Sequence, residues 1–221
     1  MRRISCVINL FLCFTILAFM VELCVESVRF GNGSVFGPAM MFTNDSNLLL
    51  AISCGLMGAF QWKALRSGRD SIPVWVYLFK YVAVCQVILT CLVVLFFLVG
   101  IMHSFELLGD FQMIYFHVVT PVAGTLSWLL WEAPDFGLPR RRYLFAPLLP
   151  LCIYAIVYME KVIVLGPERG GWRDFYHLTM GGFWPLSFLG MHLIMLGISW
   201  CLGKATGMVQ AHRLKTDRED G

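Results

Sequence analysis

Residues 74–102 read VWVYLFKYVAVCQVILTCLVVLFFLVGIM, an apolar run whose one charged residue is Lys80. A helix needs roughly 20 such residues to cross a hydrocarbon core, and this run exceeds that length. Read outward from it, the chain shows five more apolar blocks, which predict helices at 4–27, 42–62, 111–131, 143–164 and 175–203. The segments between them carry turn residues: Gly31, Gly33, Gly37 and Pro38; Ser67, Gly68 and Pro73; Pro134, Gly137 and Pro139; Gly166, Pro167, Gly170 and Gly171. Over the 221 residues, 58% are hydrophobic and 14% are charged, against about 25% charged in ordinary soluble domains. A soluble domain of this size could not bury that much apolar surface. Helices satisfy their own backbone groups within a bilayer, whereas strands do so only in a closed barrel.

The expected fold is therefore all-α: a polytopic, multi-pass integral membrane protein with six transmembrane helices. Residues 1–203 form the membrane domain and residues 204–221 a polar cytoplasmic tail. Arg2 and Arg3 ahead of an apolar run resemble a signal peptide, but the run is too long and its exit, Glu22 to Glu26, has no small-residue cleavage site. It reads as a retained first helix. With the N-terminus in the cytoplasm, twelve Lys and Arg fall on that side: Arg2, Arg3, Lys63, Arg66, Arg69, Arg140, Arg141, Arg142, Lys204, Arg213, Lys215 and Arg218. Three fall opposite, Arg29, Arg169 and Arg173, and Lys80 and Lys161 lie within spans. This asymmetry places both termini in the cytoplasm. In a bacterium the membrane would be the plasma membrane.

The net charge of +3 is dispersed over several loops and gives no nucleic-acid footprint. The eight cysteines lie in apolar blocks without a CxxC pair, so they read as small apolar residues. No HxxxH, HExxH or Cys/His spacing points to a metal. The reading contains no metal, no cofactor and no obligatory protein partner. Membrane lipids or lipid esters are the expected partners.

Polar residues inside spans are costly and mark function. They gather toward the outer half: Glu22 and Glu26 on helix 1, Thr43 to Asn47 on helix 2, His117 and Thr120 on helix 4, Glu160 and Lys161 on helix 5, and Asp174, Tyr176 and His177 at the expected start of helix 6. The inner half holds Gln61, Lys80, Gln86 and His192, and Lys80 is expected to reach the headgroups by snorkelling. His117 shares a helix face with Thr120, Pro121 and Gly124, a surface suited to close approach. Thr43, Ser46 and Asn47 share a face of helix 2, where side-chain capping of orphan amides explains one such residue better than three. A threonine hydroxyl beside an imidazole can act as a nucleophile with its base. Thr43 and His117 are the candidate catalytic pair. Ser46, Asn47 and Thr120 are candidates for oxyanion stabilisation or substrate positioning, and Ser46 is also a rival nucleophile. Lys161, Glu160 and His177 are candidate head-group contacts.

The sequence from Phe42 and Thr43 to Ser46 and Asn47 resembles a Phe-Thr-x-x-Ser-Asn signature of small bacterial six-helix membrane proteins. His117 and Pro121, followed by Trp128 and Trp131, resemble the His-x-x-x-Pro start and aromatic exit of helix 4 in the same proteins. The architecture is similar to the androgen-induced and androgen-dependent intramembrane threonine hydrolases, which cleave fatty acid esters of hydroxy fatty acids. The resemblance implies Thr43 as nucleophile and His117 as the essential histidine. It covers nearly the whole chain in hydropathy and helix count but only two short motifs in residues. Gly171 to His177 departs from the aromatic-Pro-aromatic-Pro motif common before helix 6, which bears on substrate choice. The implied activity is intramembrane hydrolysis of fatty-acyl esters. The alternative is a non-catalytic transporter, channel or receptor.

Overall fold

The structure, a computed structural model, describes residues 2–30, 37–68, 72–100, 103, 109, 111–134, 140–179 and 182–219. Six helices are long and apolar enough to cross a membrane: α1 (Arg2–Phe30), α2 (Phe42–Ser67), α3 (Val74–Val99), α4 (Phe111–Glu132), α5 (Arg141–Leu165) and α6 (Trp184–Glu219). This all-helical architecture fits an integral multi-pass membrane protein. Phe11, Phe14, Phe96, Leu149, Ile156 and Leu193 are among many large apolar side chains exposed on the bundle's sides. A soluble monomer rarely exposes such continuous apolar surface.

α2 lies against α1 and α3, while α3 also touches α4 and α6. The α1–α2 approach depends on Gly58, where a Cβ would lie 2.9 Å from Leu10 Cδ2. Several helices widen into π turns: α3 over Val93–Val99, α4 over Tyr115–Val119 and Trp128–Glu132, and α5 over Met159–Leu165. Such turns recur at functional sites because they free carbonyls and shift side-chain phase. Near the start of α5, Pro147 and Pro150 interrupt the ladder, and Gln86 of α3 donates to the Pro147 carbonyl at 2.6 Å.

Two expectations change. The sixth helix begins at Trp184, not at 175; residues 172–179 are turns and irregular chain, so Asp174, Tyr176 and His177 belong to a loop. Apolar content alone does not distinguish a packed loop from a helix turn. Past Lys204 the helix continues without a break, where Arg213 donates to the carbonyls of Leu129, Leu130 and Ala133 at the end of α4. The polar segment is thus a continuation of α6 that helps to hold α4.

Lys80 does not snorkel. It is 0% exposed, donates to Asn9 Oδ1 at 2.9 Å and Cys54 Sγ at 2.7 Å, and has Glu132 Oε2 at 3.9 Å. Asn9 donates to Glu132 Oε1 at 2.6 Å, and Gln61 donates to Ser5 Oγ at 2.7 Å. Four helices therefore close a buried polar knot in the half of the bundle that holds the N-terminus. A buried charge persists only when paired and hydrogen-bonded, and here the partners lie at matching depth on neighbouring helices.

Candidate functional site

The opposite end of the bundle holds the site. The chain enters α2 through a short 3₁₀ turn, Gly37–Met40, in which Pro38 is buried. Met41 is the N-cap residue, with φ −105°, ψ 124° and no side-chain cap bond. Thr43, Ser46 and Asn47 do not cap the helix but turn inward, each buried. Ser46 Oγ meets Thr90 Oγ1 of α3 at 2.9 Å and donates to the Thr43 carbonyl at 2.9 Å. Asn44 Nδ2 donates back to the Pro38 carbonyl at 2.9 Å, which fixes the entry turn.

The π turn of α4 explains what Asn47 does. The Thr120 amide bonds the Tyr115 carbonyl, five residues back. Pro121 has no amide hydrogen, so the Phe116 carbonyl lacks a ladder donor. Asn47 Nδ2 supplies one at 3.2 Å. Asn47 Nδ2 also donates to the Thr43 carbonyl at 2.8 Å, while its Oδ1 accepts from Thr120 Oγ1 at 2.5 Å. Both Asn47 amide hydrogens are thus committed to backbone carbonyls. Asn47 and Thr120 clamp α2 to α4 and set the geometry of the pair, and the expected oxyanion role does not fit these bonds.

That clamp brings Thr43 and His117 together. Thr43 Oγ1 lies 3.4 Å from His117 Nε2, with Thr43 6% and His117 5% exposed. His117 Nδ1 lies 2.7 Å from the Met113 carbonyl, one turn earlier in α4. A carbonyl can only accept, so Nδ1 carries a hydrogen, and in the neutral ring this tautomer turns the Nε2 lone pair toward the threonine. The separation is slightly longer than the working contact of a general base, as is common before substrate binds. Ser46 faces Thr90 instead, which leaves Thr43 as the hydroxyl paired with the imidazole.

Two cavities meet at this pair. One, of about 460 Å³, lies among α3, α5 and α6 and is walled by Leu92, Val93, Phe96, Phe188, Met191 and Ile194. Its rim residues Phe96 and Ile194 are 69% and 47% exposed, so it reaches the lateral surface of the bundle. The other, of about 470 Å³, is walled by Glu26, Asn44, Gln112, His117 and His177 among apolar neighbours. Thr43, Val94 and Tyr176 line both.

Tyr176 is the residue that sequence reasoning left out of the site. Its hydroxyl faces the Thr43 side chain and the backbone amides of Phe42 and Thr43; burial pushes the phenol up, against these hydrogen bonds. The only sequence signal was an aromatic-rich stretch without helical or strand period. Asp174 holds the loop that carries Tyr176. It accepts from Tyr158 Oη at 2.6 Å, the Leu178 amide at 2.9 Å, and the Thr179 amide and hydroxyl at 2.9 and 2.6 Å. Burial opposes the charge, but these four donors outweigh it and hold the carboxyl below its ordinary value. The loop's tie is therefore complete above the ordinary aspartate pKa of about 3.9 and is lost as the pH falls through the lowered folded value. Asp174→Ala is expected to loosen the loop at neutral pH. Limited proteolysis in detergent should then cut within 166–179 sooner than in wild type, and equal cutting rates would count against this tie.

The remaining candidates divide. His177, with φ 52°, lines the polar cavity beside His117. Glu160 and Lys161 pair with each other at 3.8 Å, half-exposed on α5, and line neither cavity, so the structure does not bring them to Thr43. Among the described residues no group of three His, Cys, Asp or Glu is placed to hold a metal ion. Comparison with protein families, curated proteins and solved structures finds no match to this chain.

Proposed function

We propose that this protein spans the membrane six times with both termini in the cytoplasm and hydrolyses lipid esters, with Thr43 as nucleophile and His117 as base. The observation that carries the reading is the buried 3.4 Å pairing of Thr43 Oγ1 with His117 Nε2 at the junction of two cavities. Thr43 Oγ attacks the ester carbonyl carbon as Nε2 takes the hydroxyl proton. Tyr176 Oη, which faces the Thr43 side chain, is the candidate donor to the developing oxyanion. The tetrahedral intermediate collapses, the bond to the alcohol oxygen breaks, and imidazolium Nε2–H protonates that oxygen. Water, deprotonated by His117, then attacks the acyl-threonine; a fatty acid leaves and Thr43 regains its proton.

A transport route would have to continue through the other half of the bundle. There Ser5, Asn9, Gln61, Lys80 and Glu132 close on one another, which favours the hydrolase reading over the transporter. The test is purified protein in detergent with a panel of fatty-acyl esters and a fluorophosphonate probe. Hydrolysis with labelling mapped to Thr43 supports the reading. Solute flux in liposomes without hydrolysis or labelling would replace it by the non-catalytic one.

The orientation rests on the asymmetry of twelve basic residues against three. A reporter fused after Gly221 is expected to be active in its cytoplasmic form only. Activity on the far side of the membrane would move the Thr43 site to the cytoplasmic leaflet.

A further inference from the structure

We infer that the two cavities divide an ester between them: the acyl chain lies in the apolar cavity, and the leaving alcohol, a hydroxyl-bearing polyol without a carboxylate, lies in the other, whose wall is mixed and the more polar of the two. The inference rests on the hydrolase reading and deepens it. The leaving oxygen must receive its proton from His117 Nε2, so the alcohol has to lie on the His117 side of the scissile bond. His117 lines the polar cavity and not the apolar one, while Thr43 lines both. The opposite placement would put the leaving oxygen away from its acid.

The walls agree with this assignment. Leu92, Phe96, Phe188 and Met191 offer a hydrocarbon chain contacts equivalent to those in the bilayer, and the lateral opening lets the chain enter without passing through water. On the polar side Glu26, Asn44, Gln112 and His177 offer donors and acceptors at the scale of hydroxyl groups. The Glu26 carboxylate disfavours a second carboxylate in that space, and among the described residues lining it no Lys or Arg compensates. A hydroxy fatty acid as leaving group would bring such a carboxylate, and a glycerol ester would not.

Gly190 gives a direct test of the acyl side. It lines the apolar cavity, and a Cβ built on it meets nothing within 4 Å, so a larger side chain enters the cavity rather than a neighbouring backbone. With glycerol esters, Gly190→Phe is expected to lower the kcat/KM ratio of palmitoyl over octanoyl ester by about tenfold or more. On the alcohol side, wild type is expected to hydrolyse monopalmitoylglycerol at least about tenfold faster than the palmitoyl ester of hydroxystearic acid, and Glu26→Lys to narrow that preference. Independently of turnover and of the Gly190 variant's folding, a palmitoylglycerol with a diazirine at its chain end, irradiated on Thr43→Ala, should crosslink to Phe188, Met191 or Ile194. Adducts on polar-cavity residues of α1 or α4, or an unmoved chain-length ratio in an active Gly190→Phe, overturn the division alone. A wild-type preference for the hydroxystearate ester overturns the choice of alcohol. Absence of turnover of every ester removes the hydrolase reading, and this inference with it.

Discussion

Thr43→Ala is expected to reduce ester hydrolysis by about 10⁴-fold or more, with His117→Ala falling to a similar level and the double variant little worse than either. The reason is that the two groups perform one step: without Thr43 there is no atom to be acylated, and without His117 the hydroxyl stays protonated. Residues acting as a unit give losses that do not add. Thr43→Ser keeps a hydroxyl 3.4 Å from the imidazole and should keep both labelling and turnover, with the lost methyl costing about 10- to 200-fold at most. The bond between the two is worth about 1 kcal/mol, and His117→Ala also loses the bond to the Met113 carbonyl, so the histidine variant should be the less stable of the two. Initial rates on one ester, with unfolding in detergent measured beside them, decide the matter. Multiplicative losses, or labelling that follows Ser46, would show that the pair does not act as nucleophile and base.

The second large effect is on stability. Lys80→Met and Glu132→Gln are each expected to destabilise the bundle by about 3–5 kcal/mol, because each leaves a buried partner without its counter-charge. The double variant should recover most of that loss, since both desolvation penalties disappear together. Asn9 sharpens the expectation: its oxygen accepts from Lys80 and its amide donates to Glu132, so it bridges the two charges and cannot serve one alone. A thermal or denaturant unfolding series on the four proteins gives the coupling energy. Simple additivity would mean that the 3.9 Å separation carries no interaction that matters to the fold.

The six spans were legible because apolar length is a one-dimensional property. The pairing of Thr43 with His117 was legible because depth and motif spacing are nearly so. What escaped was azimuth, the direction a side chain takes around its helix. Lys80 near a helix end looked free to reach the headgroups. Asn9, Gln61 and Glu132 at similar depth on three other helices were the sign that it is captured, but only packing turns those four faces toward one another. Asn47 was misjudged for a related reason. Its donors are consumed by carbonyls, one of them exposed by a proline on another helix. The stretch from 175 to 179 was read as helix because its Phe and Tyr residues count as apolar, while its order comes from Asp174.

The π turn at Tyr115–Val119 makes the site a question of phase as well as composition. A π turn holds one residue more than the α turn it replaces, and one residue is about 100° of helical rotation. His117 therefore faces Thr43 because α4 carries a surplus residue ahead of Pro121, and Asn47 secures the carbonyl that the surplus leaves open. Removing one residue from that turn would preserve every polar side chain of the site and still swing the imidazole away from the hydroxyl. In chains of this architecture, the four-residue interval from His117 to Pro121 is thus as informative as the two residues that bound it.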